Sequence, residues 1–149
     1  MSKVIDRWFD MIRINSINGH EVDLADYIAG QLKEMGLEPH YSYFPEDEEK
    51  VRPSIWTVLD SGKPGKRLML IGHIDTVDIA RGWLTDPFTP TEDAEEDGKI
   101  HGLGAMDMKG GLAGILQTLE YYAEHKDEFT GSIIACFVAD EEGLSKGTY

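Results

Sequence analysis

Val4, Ile5, Trp8, Phe9 and Ile12 recur at three- and four-residue intervals, so roughly residues 3–14 are predicted to form an amphipathic helix. Asn15-Ser16-Ile17-Asn18-Gly19 breaks that pattern. A second helix is expected to carry Leu24, Tyr27, Ile28, Leu32 and Met35 on one face, with Gly36 as its C-terminal cap. Leu37–Phe44 alternates loosely and reads as a strand ended by Pro45 and the acidic run behind it. Ser54–Leu59 is rich in β-formers, and Ser61-Gly62-Lys63-Pro64-Gly65 is a turn cluster. Arg67–Ile71 reads as a buried strand that stops at Gly72-His73. A polar, proline-bearing loop follows over about residues 78–98. Leu112, Ile115, Leu116, Leu119, Tyr122 and Ala123 mark a third helix, and Gly131 opens a last, almost wholly apolar strand over Ser132–Ala139. Continuous apolar strands separated by helices predict an α/β domain with a covered sheet. No internal repeat or linker divides the chain.

The 149 residues match one ordinary domain, and 41% hydrophobic content suffices for a core. The formal net charge is −14, from 28 acidic and 14 basic residues. Such a surface repels nucleic-acid phosphates and anionic membranes, so neither is an expected partner. No apolar run has the length of a membrane span, the start lacks the layout of a signal peptide, and Cys136 is the single cysteine. A cytoplasmic protein is expected. Glu46–Glu49 and Glu92–Asp97 read as solvated loop charges. A few other carboxylates stand where they could hold cations, and position is what separates them.

The first such position is Gly72-His73-Ile74-Asp75-Thr76-Val77, directly after a predicted strand. Ligands gather beyond the carboxyl ends of strands in open α/β sheets. Asp75 lies two residues on, where its carboxylate could accept the second imidazole N–H and fix the tautomer of His73. An HxD alone is more often a capped loop histidine. The second position is the stretch from His101 to Gly111, HGLGAMDMKGG. Its Gly102 and Gly104 suggest a dinucleotide loop, but the third glycine of that motif would fall at Asp107, which would oppose a pyrophosphate. Taken alone, Asp107 would be a helix cap. The third is Asp140-Glu141-Glu142-Gly143, past the last strand. Three clustered acids cost Coulomb energy unless solvated or neutralised by a cation. His73, Asp107 and Glu141 are 34 residues apart each time. Imidazole with several carboxylates suits zinc, and a shared carboxylate can bridge two metals. A calcium loop at 93–104 lacks its twelfth-position glutamate, and there is no GxSxG, P-loop or HExxH.

GHIDTV, Trp83 with Asp86-Pro87-Phe88, GLGAMDMKGG and DEEG together resemble the metallopeptidase family of acetylornithine deacetylase, succinyl-diaminopimelate desuccinylase, aminoacylase and carboxypeptidase G. The likeness is dense over about residues 70–148, and the Ser16–Glu21 turn fits it. It implies a helix-flanked mixed sheet of the zinc-exopeptidase type. It implies a metal-dependent amidohydrolase that cleaves the amide bond of N-acyl amino acids or small peptides, using two zinc ions, with cobalt or manganese as alternatives. In that reading His73 binds one metal, Asp107 bridges both and Glu142 binds the other. Asp75 orients His73, and Glu141 is the general base. Glu141 and Glu142, as neighbours in extended backbone, are expected to point apart.

Leu103 stands where related loops carry arginine, which predicts altered loop packing without loss of a ligand. The family also has a further acidic ligand, a histidine ligand near its C-terminus, and an inserted lid and dimerisation domain, none of which lies within residues 1–149. The chain is therefore expected to be the N-terminal portion of a catalytic domain, inactive alone, whose full-length form is a homodimer. The alternative is a truncated, non-catalytic fragment with an incomplete metal site.

Overall fold

The computed structural model describes residues 2–47 and 50–148. Helix α1 spans Lys3–Arg13 and α2 spans Val22–Glu34; α2 buries Leu24, Ile28 and Leu32 of its predicted face, whereas α1 buries Arg7, Met11 and Ile12, with Val4 and Trp8 packed at the margin of the core. Gly36 takes φ 73° behind α2, the left-handed conformation that a glycine C-cap supplies without strain. Strands β1 (His40–Asp47), β2 (Lys50–Asp60), β3 (Arg67–His73) and β6 (Ser132–Val138) form one sheet in the order β1-β2-β6-β3. A two-stranded ribbon of β4 (Thr91–Glu92) and β5 (Ile100–His101) sits within the long loop region. Helix α3 spans Gly110–Glu124.

β2 is antiparallel to both β1 and β6, whereas β3 runs parallel to β6 with His73 opposite Val138. The sheet is thus mixed, and the parallel pair delivers His73 and the turn after β6 to the same edge. Ile55, Leu59, Ile133, Ala135 and Phe137 point into a core closed by Met11, Leu24, Ile28, Leu32, Leu112, Leu116 and Leu119 from the three helices. Burying a side chain of that size contributes roughly 1.5–3 kcal/mol.

Several expectations need correction. β1 continues through Pro45, which lies on an edge strand beside a register irregularity, the kind of position where proline is tolerated in a sheet. Glu46 and Asp47 therefore belong to β1, and Glu48 and Glu49 lie outside the described residues. β2 begins at Lys50, before the apolar stretch that marks it in sequence. The strand RLMLI is not buried: Leu68, Met69 and Ile71 are all exposed. β3 is an edge strand, and its Met69 and Ile71 share a sheet face with Val58, Trp56, Ile134 and Cys136, half-open among the described residues. Helices cover the opposite face, so among the described residues the sheet is covered on one side only. Apolar content alone could not distinguish these two environments.

Candidate metal centre

His73, the last residue of β3, is buried with its ring at the carboxyl edge of the sheet. Its Nε2 lies 2.9 Å from Asp107 Oδ1 and 3.9 Å from Glu141 Oε2. One ligand atom each from His73, Asp107 and Glu142 lie within 4.8 Å of one another. Residues from β3, from the turn before α3 and from the turn after β6 thus meet at one point.

Asp107 reaches this point because its turn is held from below. Residues Ala105–Lys109 form an irregular π-type turn, in which Asp107 has φ −119° and ψ 102°. Trp8 Nε1 donates to the Ala105 carbonyl at 2.8 Å, and Lys109 Nζ donates to the Ile14 carbonyl at 2.9 Å. Burial pulls the Lys109 amine down to about 8. The Met108 side chain fills the space beside Gly72, where an added Cβ would lie only 2.7 Å from Met108 Cε. The Asp107–Met108 peptide is cis. The Asp107 carboxylate faces His73 and solvent, and the N-cap position of α3, the role that Asp107 taken alone suggests, falls to Lys109. Leu103 is buried, and its N–H donates to Pro87 O at 2.7 Å, so the loop packs on an apolar side chain at this position.

Asp75 is oriented differently from the expectation. The ring Nδ1 of His73 meets the Asp75 carbonyl at 2.9 Å, while the nearer carboxylate oxygen stands at 3.7 Å. The carboxylate instead accepts the N–H groups of Glu141 at 3.0 Å and Glu142 at 2.9 Å, and the Asn18 amide at 2.7 Å. Asp75 therefore fixes the imidazole through its backbone and the glutamate turn through its side chain. Burial would raise its pKa, but His73, Asn18 and the two amides hold it below the usual carboxylate range.

The turn after β6 separates the three acids. Asp140, at φ 67°, is buried against Arg52, and Gly143 is required above it because a Cβ there would collide with Asp140 Oδ1. Glu141 and Glu142 follow in turn conformation, not extended chain, so both carboxylates come near His73 and do not point apart. Burial would lower the His73 pKa, but contacts to Asp75 and Asp107 outweigh it and push the imidazole up to about 9. Burial pushes the Glu142 carboxyl up, and Asp107 and Glu141 add to that while His73 opposes it.

This donor set fits a divalent cation. Three carboxylates, on Asp107, Glu141 and Glu142, converge on one imidazole, so even a protonated His73 leaves two negative charges in excess. A hollow of about 330 Å³ lined by Thr76, Val77, Gly104, Met106, Asp107 and Glu142 opens beside it. A larger hollow of about 620 Å³, between Arg81–Thr85 and Thr91–Ala94, contains none of these residues. Only the smaller one is lined by residues of the charged cluster.

Asn18, Glu21 and Arg52 have no counterpart among the site residues expected from sequence. Arg52 left no distinct signal, since it stands near Lys50 at the polar start of β2.

A parallel strand pair brings a histidine and a glutamate pair to an aspartate turn on an α/β scaffold, a donor set of the kind that can hold a divalent cation. The chain belongs to the peptidase family M20/M25/M40, whose family model matches residues 69–149. It is 29% identical to the succinyl-diaminopimelate desuccinylase of Rickettsia felis over 137 residues, 92% of this chain and 35% of that protein. A di-peptidase from Saccharomyces cerevisiae superposes with a TM-score of 0.80 at 24% identity, over 97% of this chain and 33% of its own. A dinuclear metal binding peptidase of the M20 family from Bacillus subtilis superposes at 0.66 with 19% identity, over 93% and 35%. The chain thus spans about a third of the length of the curated relatives it matches.

Proposed function

We propose that the protein is a metal-dependent amidohydrolase that cleaves the amide bond of N-acyl amino acids or small peptides, with residues 1–149 forming the N-terminal portion of its catalytic domain. The convergence of His73, Asp107 and Glu142 within 4.8 Å carries this reading. The desuccinylase and dipeptidase relatives support the substrate class. Two zinc ions are the proposed cofactors. His73 and Glu142 would hold one each and Asp107 would serve both; each ion would draw a further protein ligand from outside this cluster, since a catalytic zinc takes three and keeps one position open.

Bound divalent cations would supply positive charge to polarise the scissile carbonyl and make a water more acidic. Glu141 would take the proton of the attacking water and return it to the leaving amine. Its Oε2 stands 3.9 Å from His73 Nε2, near the cluster without belonging to the tightest ligand trio. Asp75 would hold the His73 ring and both glutamates in register. A cytoplasmic homodimer is part of the same proposal.

The test is hydrolysis of N-succinyl and N-acetyl amino acids and of dipeptides by the longest product of the gene, with zinc and then with chelator. Chelator-sensitive release of the free amine is expected. Glu141→Gln should lower turnover by ~10²–10⁴-fold while bound zinc stays at the parental level. Activity indifferent to chelator, or full turnover in Glu141→Gln, would overturn the reading.

A further inference from the structure

The two glutamates of the metal centre stand on a turn whose own anchor lies deeper. Arg52 of β2 is fully buried. Its Nε donates to Glu21 Oε2 at 3.1 Å and its Nη2 to Glu21 Oε1. Its Nη1 donates to Asp140 Oδ1 at 2.6 Å. Glu21 is itself held, since its Oε1 also accepts the Gly19 N–H at 3.0 Å. Asp140 folds the turn that follows it: Oδ2 accepts the N–H groups of Leu144 at 3.3 Å and Lys146 at 3.0 Å, and its carbonyl accepts from Ser145 at 2.6 Å. Asn18 Nδ2 then joins Asp140 Oδ1 at 3.2 Å to Asp75 Oδ2 at 2.7 Å.

The backbone of Glu141 and Glu142 is therefore clamped on both sides. The residue before them is fixed on the guanidinium, and their own amides are fixed on Asp75. A planar fork is suited to this task, because it holds two carboxylates at a set angle where an ammonium would act as a point charge. Without Arg52, Glu21 and Asp140 would face each other as buried like charges, and the turn would have to open to hydrate them.

We propose that Arg52 is a positioning residue for the metal centre: held on Glu21, it fixes Asp140 and thereby sets where Glu141 and Glu142 stand relative to His73 and Asp107. The inference rests on the metal-site reading for the purpose of that placement, but the placement can be measured without any metal. A purely structural ion pair would stabilise the domain as a whole. A positioning residue acts on this turn in particular.

The experiment compares the parent chain with Arg52→Met, Arg52→Lys and Arg7→Met. Arg7 makes a comparable part-buried pair with Glu120 and Gln31, on the α1–α3 side of the molecule, and serves as the control. Hydrogen exchange at the Glu141 and Glu142 amides is read by NMR in metal-free protein. Cobalt(II) affinity is read by titration. Arg52→Met should accelerate exchange at both amides by about tenfold or more beyond any change at α3 amides, and Arg7→Met should not. Arg52→Lys, which keeps the charge and folds if the apolar variant does not, should show the same selective acceleration to a smaller degree. Both Arg52 variants should bind cobalt more weakly than Arg7→Met. Parental exchange at Glu141 and Glu142 in either Arg52 variant, or equal acceleration in Arg7→Met, would overturn the proposal. A parent that exchanges slowly at both amides yet binds no cobalt would overturn the metal reading and leave the role of Arg52 in the turn standing.

Discussion

Asp140 and Glu142 are two residues apart in one turn, and they are treated in opposite ways. Asp140 ends on Arg52, Asn18 and the amides of Leu144 and Lys146, with its side chain 2% exposed. Glu142 ends beside His73 and Asp107, where the Asp107 side chain is 76% exposed and Glu141 contributes a third carboxylate. The deep half of the centre is complete within the chain, since each of its charges meets an opposite charge or a hydrogen-bond donor. The open half carries an excess of negative charge directed at a hollow. Buried charge is tolerated when paired, and unpaired charge at a cleft marks a place where something else binds. The contrast therefore separates what holds the turn from what the turn holds.

The deep side of the turn is the more sensitive to substitution. Asp140→Ala removes one of two carboxylates from a buried guanidinium, together with the side-chain bonds to the Leu144 and Lys146 amides. We expect a loss of ~3–5 kcal/mol in stability, measured by urea unfolding of the metal-free chain. A loss under about 1 kcal/mol, the range of a surface pair, would mean that the deep network is not the frame described here.

The pH dependence gives the next largest effect. The His73 pKa is raised from its ordinary 6.5 to about 9, so the folded state binds this proton more tightly than the unfolded chain. The resulting stability is fully present below pH 6.5 and is lost as pH rises through about 9. We expect roughly 1–3 kcal/mol to disappear across that window in the parent and not in His73→Asn. Metal affinity should run in the other direction, strengthening over the same window as the imidazole sheds its competing proton.

Much of this arrangement was legible in the sequence, for an identifiable reason. The faces of α2 and α3 follow from the spacing of Leu24, Ile28, Leu32, Leu112, Leu116 and Leu119, because one continuous core closes over all of them. The parallel placement of β3 and β6 follows from two motifs that each begin where an apolar strand stops. Other features depend on neighbours distant in sequence. Met69 and Ile71 look like core residues until the sheet order makes β3 an edge. Asp140 looks like Glu141 and Glu142 until Arg52, 88 residues earlier, removes it from the set. The Asp75 carboxylate stays within 3.7 Å of the imidazole but also takes two backbone amides, because the turn after β6 brings those amides within 3.0 Å.

Smaller effects are expected from the open side. Glu142→Gln removes a like charge from the cluster, so the metal-free chain should be unchanged or more stable by about 0.5 kcal/mol, while cobalt affinity falls about tenfold or more. A loss of stability similar to that of Asp140→Ala would erase the distinction between the two halves. Glu141→Gln should change least, with the stability and the cobalt affinity of this chain both near parental, since Glu141 lies outside the ligand trio.

The most direct measurement is a cobalt(II) titration of the parent chain followed through the ring resonances of His73, with Asp107→Asn alongside. The parent should show saturable, chelator-reversible paramagnetic loss of the His73 signals at micromolar or weaker affinity, with no tight two-site isotherm, and Asp107→Asn should require a much higher cobalt concentration. His73 signals that persist at millimolar cobalt, or that vanish equally in Asp107→Asn, would contradict a cation site built from these residues.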